Sequence, residues 1–169
     1  DVIWLATGVY HNAALVTVDR GLTIKGFGSR ESTFFNGGGW LGFQLQHSNA
    51  LIEGITITNC WHPDYGSAVY IFMGGTVRNC TLASNTSVSG GGAIYLDQGG
   101  VVDGCLVVGN RTSGSGGGIA CGYGGTIVNS TITLNRASGG GGIDMNRGGF
   151  VSNCTIVENS AGAGDGGGW

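Results

Sequence analysis

The sequence predicts an all-β fold, a right-handed parallel β-helix with coils of about 25 residues. Glycine pairs recur at this interval and divide the chain from residue 49 onward into five units, 49–73, 74–98, 99–123, 124–147 and 148–169. Apolar residues recur at equivalent positions of the units, and one bend position holds only glycine or asparagine. These regularities predict a solenoid in which each unit forms one coil.

The apolar residues fall into five columns. Two columns lie two residues apart, which is the periodicity of a strand with one inward face, and three more follow the glycine pair. They are Val69, Ile94, Ile119, Ile143; Ile71, Leu96, Cys121, Met145; Ile52, Val77, Val102, Ile127, Val151; Ile55, Cys80, Cys105, Ser130, Cys154; and Ile57, Leu82, Val107, Ile132, Ile156. Stacked about 4.8 Å apart, they would fill a continuous apolar interior with two or three short strands per coil.

Polar residues also recur and mark the corners of the coil. The bend between the third and fourth columns holds residue types that readily adopt positive φ: Gly54, Asn79, Gly104, Asn129 and Asn153. A second polar column predicts a structural ladder of amides that hydrogen-bond between coils: Asn85, Asn110, Asn135 and Asn159. Because Cys60 occupies the preceding position, we expect the ladder to start at Asn85.

An outward column provides a check on this register. Glu53, Arg78 and Asp103 alternate in charge on three consecutive units. They predict a cross-strand charge ladder worth roughly a few tenths of a kcal/mol per pair. A slip of one residue would turn every column inside out.

Other repeat architectures fit less well, because no segment has a helical apolar pattern and a propeller blade needs about 40 residues. We expect a single β-helix domain over residues 1–169, with irregular first coils at 1–48 and regular coils at 49–169. The last unit stops where earlier units continue into a strand. The chain is therefore expected to be a segment of a longer solenoid, or to have its ends completed by another molecule, and open ends of this kind favour end-to-end stacking.

Composition restricts the classes of function. The chain has 37 glycines, yet 41% of its residues are hydrophobic and 10% are charged, which favours a folded chain over a disordered one. A net charge of −3 with scattered basic residues argues against nucleic acid as a partner, and no apolar run is long enough to span a membrane.

Three of the five cysteines fall in one inward column, so we expect buried free thiols, with a Cys80–Cys105 bridge as the alternative.

Several strings carry a resemblance to a known family. They are Gly-Leu-Thr-Ile-Lys-Gly-Phe-Gly at 21–28, Ile-Glu-Gly-Ile-Thr-Ile-Thr-Asn at 52–59, and the pair Gly-Gly-Thr-Val-Arg-Asn-Cys-Thr-Leu at 74–82 and Gly-Gly-Phe-Val-Ser-Asn-Cys-Thr-Ile at 148–156. The chain resembles right-handed parallel β-helix repeat proteins, in particular the polymorphic outer-membrane-protein and autotransporter-passenger type of surface protein. The resemblance implies the fold and an extracellular or cell-surface location. It does not select a function, because the same scaffold carries adhesins, polysaccharide lyases and structural proteins.

The sequence offers one candidate binding site and no catalytic, metal or cofactor site. No two carboxylates share a column on adjacent coils, and Asp97 and Asp144 lie two coils apart, which favours solvated surface roles over catalysis. The least repetitive part of the regular coils, interpreted as an insertion, contains Trp61, His62, Asp64 and Tyr65. An aromatic and polar loop of this kind is either a ligand site or a plain surface loop.

Two classes of function follow. The first is a non-enzymatic, extracellular structural or adhesin-like surface protein that self-assembles end to end into fibres. The second is a carbohydrate-active β-helix, either an enzyme resembling polysaccharide lyases and hydrolases or a glycan-binding module, whose site lies on the loop at Trp61–Tyr65 or in coils outside this chain. The expected partners are accordingly other copies of the chain or a polysaccharide.

Overall fold

The computed structural model describes residues 1–162 and 166–168, and Ala163, Gly164, Asp165 and Trp169 of the fifth unit lie outside the described residues. The described chain is a parallel β-solenoid of about six turns, matching a right-handed β-helix, with about 25 residues per coil. Strands are its only regular elements. The predicted fold class is confirmed.

The strands are short and follow one another around each coil. The first two coils contain β1 (Val2–Leu5), β2 (Gly8–His11), β3 (Val16–Val18), β4 (Thr23–Gly26), β5 (Thr33–Asn36) and β6 (Phe43–Leu45). The third and fourth contain β7 (Leu51–Glu53), β8 (Thr56–Thr58), β9 (Trp61–His62), β10 (Val69–Ile71), β11 (Thr76–Arg78), β12 (Thr81–Ala83), β13 (Thr86–Ser87) and β14 (Ile94–Leu96). The remaining strands are β15 (Val101–Asp103), β16 (Leu106–Val108), β17 (Arg111–Thr112), β18 (Ile119–Cys121), β19 (Thr126–Val128), β20 (Thr131–Thr133), β21 (Ile143–Met145), β22 (Phe150–Ser152) and β23 (Thr155–Val157).

Equivalent strands of successive coils pair in parallel and form four sheets. Sheet A has the order β1-β4-β7-β11-β15-β19-β22, and sheet B has the order β2-β5-β8-β12-β16-β20-β23. Sheet C runs β3-β6-β10-β14-β18-β21, and sheet D runs β9-β13-β17. The first coils belong to the same sheets, but their repeat is uneven: Val2 pairs with Thr23, and Thr23 pairs with Leu51.

Sheet D shows that the prediction of two or three strands per coil was too low for the third to fifth coils. Its strands are two residues long and pair Trp61 with Thr86, and Thr86 with Arg111. Their inward residues, Ser87 and Thr112, are polar and buried. Because these inward positions are polar, no apolar column marks this strand in the sequence.

The apolar columns fill the interior of the solenoid. Val77 pairs in register with Val102, and Val102 pairs with Ile127. All three side chains are fully buried. Burying a side chain of this size contributes about 1.5–3 kcal/mol, so the repeated columns supply the main favourable free energy of the fold.

The corner between sheets A and B adopts the left-handed backbone conformation expected of glycine and asparagine. The φ angles are 68° at Gly54, 49° at Asn79, 63° at Gly104, 53° at Asn129 and 51° at Asn153. This conformation is costly for residues other than glycine and least so for asparagine and aspartate, which explains why only glycine and asparagine occupy the column.

Four stacked asparagines form a hydrogen-bonded ladder in the interior. The Nδ2 of Asn85 donates to Oδ1 of Asn110 at 3.0 Å, and the same step recurs from Asn110 to Asn135 at 2.9 Å and from Asn135 to Asn159 at 3.0 Å. Each Oδ1 also accepts the backbone N–H of the preceding asparagine, and Oδ1 of Asn85 accepts that of Cys60. The Nδ2 of Asn110 also donates to the Leu82 carbonyl at 2.9 Å. The ladder therefore satisfies the polar groups of Asn85, Asn110 and Asn135, which are buried, and ends at the half-buried Asn159.

The outward charge column has the predicted register, but its ion pairs are arranged differently. Glu53, Arg78 and Asp103 face one another on β7, β11 and β15. Arg78 pairs with Asp103 at 3.5 Å, whereas Glu53 pairs with Lys25 of the preceding coil at 3.1 Å. Partly exposed pairs of this kind contribute at most about 1 kcal/mol each.

Replacing Asn110 by alanine should lower the free energy of unfolding by about 2–4 kcal/mol, because the buried donors of Asn85 and the Leu82 carbonyl would lose partners. Urea denaturation monitored by circular dichroism measures the change. Asn146→Ala, at an exposed asparagine, is the control and should change stability by less than about 0.5 kcal/mol. Equal stability of the two variants would contradict the role of the ladder.

At Asn79, the corner conformation predicts that alanine and glycine have different effects. Asn79→Ala should lower the free energy of unfolding by about 1–2 kcal/mol, since alanine pays the cost of positive φ. Asn79→Gly adopts this φ without that cost and should be more stable than the alanine variant. Thermal melts of the two variants measure their relative stability. A more stable alanine variant would show that the corner φ does not determine the residue type.

Candidate functional site

The residues from Trp61 to Tyr65 are a regular part of their coil, so the interpretation as an insertion was wrong. Trp61 and His62 pair with Thr86 and Ser87, and Tyr65 forms an isolated bridge with Gly90. The segment differs from later coils in its side chains: Trp61 and Tyr65 are exposed aromatics. The Asp64 backbone N–H lies 3.4 Å from Nδ1 of His62, and the Asp64 carbonyl accepts the Ser89 N–H.

Two adjoining cavities lie beside this segment. One, of about 320 Å³, is lined by Leu15, Leu41, Gln44, His62, Asp64, Tyr65 and Tyr70. The other, of about 430 Å³, is lined by Leu15, Gly39, Trp40, Leu41, Trp61, His62 and Pro63. Because they share Leu15, Leu41 and His62, we treat them as one feature and call their combined lining the aromatic groove. The groove brings together all four predicted binding residues.

The tryptophan end of the groove is positioned by a turn on the preceding coil. Gly38 and Gly39 have positive φ angles of 56° and 84°, and the Trp40 N–H closes the turn on the Gly37 carbonyl at 3.0 Å. The Trp61 N–H then donates to the Trp40 carbonyl at 3.2 Å. The backbones of the two exposed tryptophans are thereby joined one coil apart.

The tyrosine end of the groove rests on an aromatic stack on the outer face of sheet C. Tyr70 and Tyr95 are paired residues of β10 and β14, and their rings are nearly parallel, at 3° and 5.7 Å between centroids. The ring of Tyr65 packs on the ring of Tyr95, with 4.4 Å between their centroids. The Tyr70 hydroxyl donates to Oδ2 of Asp97 at 3.1 Å. Burial, followed by the Asp97 charge, raises the pKa of Tyr70, so its hydroxyl stays protonated at neutral pH and keeps donating to Asp97.

Sequence reasoning missed Leu15, Trp40, Leu41, Gln44 and Tyr70 as parts of the groove. Tyr70 could have been found, because it lies between two inward columns and must point outward on the sheet that passes the loop. The first two coils repeat unevenly, so the register gave no signal for Leu15 or Trp40.

The carboxylates do not converge on a metal or acid–base site in the part of the chain that is described. No group of three or more histidine, cysteine, aspartate or glutamate side chains there could hold a metal ion. Asp97 accepts the Tyr70 hydroxyl, and partial burial raises the pKa of Asp144 on β21. Among the described residues that line the aromatic groove, Asp64 is the one with a carboxylate side chain. The groove thus combines exposed aromatic rings with polar groups that can form hydrogen bonds.

Comparison with known proteins identifies a family. Residues 20–167 match the family model described as right handed beta helix region. No curated protein matches the chain. The described residues also include no helix with the length and apolarity to cross a membrane.

The thiols are the remaining candidate nucleophiles, and all five cysteines are free. Burial raises the pKa of Cys60, Cys80 and Cys121 to about 12, and it also raises that of Cys105. Thiolate is the reactive form, so these four groups are unreactive packing residues at neutral pH. Cys154 is half-buried.

Alkylation of the native protein at neutral pH should therefore modify Cys154 first. The four buried thiols should react only in denaturant, because they are both inaccessible and protonated. Mass spectrometry of peptides after maleimide treatment, with and without urea, measures the order. Rapid modification of Cys80 or Cys105 in the native protein would contradict the burial of that column.

Proposed function

We propose that this chain, which belongs to the right-handed β-helix family, is a non-enzymatic, adhesin-like extracellular protein that binds a glycan in the aromatic groove. The observation that supports this is the clustering of Trp40, Trp61, Tyr65 and Tyr70 along one connected depression. Exposed apolar patches on soluble proteins commonly mark binding sites. The resemblance to surface proteins supports the extracellular location.

The chemistry of the groove suits a sugar chain. Sugar rings have apolar C–H faces that stack on aromatic rings, and their hydroxyl groups need donors and acceptors nearby. The rings of Trp40 and Trp61 offer the first kind of contact. Gln44, Asp64 and the Tyr65 hydroxyl offer the second kind from the opposite end of the groove.

The spacing between coils also matches the length of a sugar unit. Gln44 and Tyr70 are paired residues on adjacent coils, as are Trp61 and Thr86. Successive coils are about 4.8 Å apart, close to the length of one sugar unit in an extended chain. A glycan that lies along the axis would therefore meet about one coil per sugar unit.

A carbohydrate-active enzyme on the same groove is the second candidate. Glycoside hydrolysis ordinarily uses two carboxyl groups about 5–10 Å apart, and Asp64 is the carboxylate among the described lining residues. We therefore favour binding over cleavage. Incubation with each bound polysaccharide, followed by assays for new reducing ends and for unsaturated products, distinguishes the two candidates.

End-to-end assembly into fibres stays a prediction. Negative-stain microscopy and sedimentation over a range of protein concentrations test it. Filaments that lengthen with concentration would support an assembling surface protein, whereas a constant monomer mass would oppose it.

The aromatic groove predicts that Trp61→Ala weakens glycan affinity at least about tenfold, since a central tryptophan contributes strongly to binding. Affinity electrophoresis against soluble glucans, mannans and galactans identifies a ligand, and calorimetry then measures the change. Trp4→Ala is the matched control, because Trp4 is an exposed tryptophan on β1, outside the groove residues. Unchanged affinity of the Trp61 variant, or an equal loss in both variants, would contradict the proposed site.

A further inference from the structure

Two of the basic residues of the chain lie together at one place on the outer surface. The sequence has seven lysine and arginine residues. Four of them form ion pairs, namely Arg20, Lys25, Arg30 and Arg78. Arg147 lies over the Tyr123 ring at 4.5 Å. The other two are Arg111 and Arg136, for which no ion pair is found within residues 1–162 and 166–168.

Arg111 and Arg136 occupy equivalent positions on adjacent coils. Arg111 begins β17, and it bridges Arg136 in parallel. Both arginines are exposed, while the following residues, Thr112 and Ala137, are buried. Alternation along a strand therefore directs both arginine side chains outward from the same face, about 4.8 Å apart at their backbones. Two like charges placed directly opposite each other are unfavourable unless a counter-charge lies between them.

The two side chains line a common cleft. The cleft has a volume of about 220 Å³, and its lining also includes Ser113 and Ser138. Ser138 donates its hydroxyl to the Ser113 carbonyl at 2.6 Å, whereas the side chain of Ser113 is exposed and free to donate outward. Two guanidinium groups and a hydroxyl in one small cleft form a set of donors with net positive charge.

We propose that this cleft is an anion site that binds an oxyanion, either a sulfate, a phosphate or a carboxylate group. Guanidinium groups bind such oxygens through paired N–H donors, and one oxyanion between two arginines removes the repulsion between them. The oxyanion comes either from a free inorganic ion or from an acidic group on a polysaccharide. The site is distinct from the aromatic groove and does not depend on it.

Sulfate is the probe that tests the anion site. The Tm of the unaltered protein should rise by about 2–4 °C at a sulfate concentration near five times Kd, and sodium chloride at equal ionic strength should not reproduce the rise. In the double variant Arg111→Gln/Arg136→Gln, the rise should disappear. Both substitutions are at exposed side chains, and without sulfate the variant should be at least as stable as the unaltered protein because the repulsion is gone.

Two controls isolate the site. The variant Arg20→Gln/Arg147→Gln removes the same charge elsewhere and should keep the response to sulfate. Trp61→Ala should keep it too, so a failure of the aromatic groove leaves the anion site standing. No response in the unaltered protein, or the same response in the Arg111/Arg136 variant, would overturn the proposal.

Sulfated dextran distinguishes the two sources of the oxyanion, with unmodified dextran as its blank. Binding at least tenfold tighter per sulfate group than inorganic sulfate would support an acidic polysaccharide. Equal binding per sulfate group would support a free ion. Either result requires the two arginines, and sulfated dextran that binds the Arg111/Arg136 variant unchanged would contradict the site.

Discussion

The backbone N–H and C=O groups of the strands point along the solenoid axis, and their partners lie on the neighbouring coils. This parallel pairing places each residue directly beside its equivalent one coil away, as in the series Val77, Val102 and Ile127. A polar group buried without its partner costs free energy, so no coil can shift without disrupting its neighbours. The asparagine ladder adds a second set of bonds with the same period, inside the apolar interior. Register is therefore the constraint that holds both the core and the surface in place.

The same constraint shapes the candidate sites. Outward side chains on the paired strands form columns in the same way as the core residues, so each lies beside its equivalent on the next coil. Tyr70 and Tyr95 stack because they are paired on adjacent strands, and Arg111 and Arg136 oppose each other for the same reason. The tyrosine pair presents a flat aromatic surface, and the arginine pair concentrates positive charge. A solenoid can thus carry separate binding surfaces on separate faces without altering its interior.

The sequence was sufficient for the parts of the molecule that repeat. Ile127 and its equivalents could be placed inward from their two-residue and coil periods, and the corner at Asn79 could be assigned from residue type alone. The sequence was insufficient where the repeat is uneven or where its inward positions are polar. Sheet D has buried Ser87 and Thr112 in place of an apolar column, and Trp40 lies on a coil whose spacing differs from the rest. Assigning the aromatic groove required the path of the first two coils, which no period in the sequence specifies.

Scalar couplings across hydrogen bonds, measured by NMR on the isotope-labelled protein, test the register most directly. The backbone nitrogens of Thr81, Leu106 and Thr131 should couple to the carbonyl carbons of Ile55, Cys80 and Cys105, each on the preceding coil. These three couplings together would show equivalent residues paired from coil to coil. Couplings displaced by even one residue, or couplings to antiparallel partners, would contradict the parallel register and the proposed binding surfaces, which depend on it.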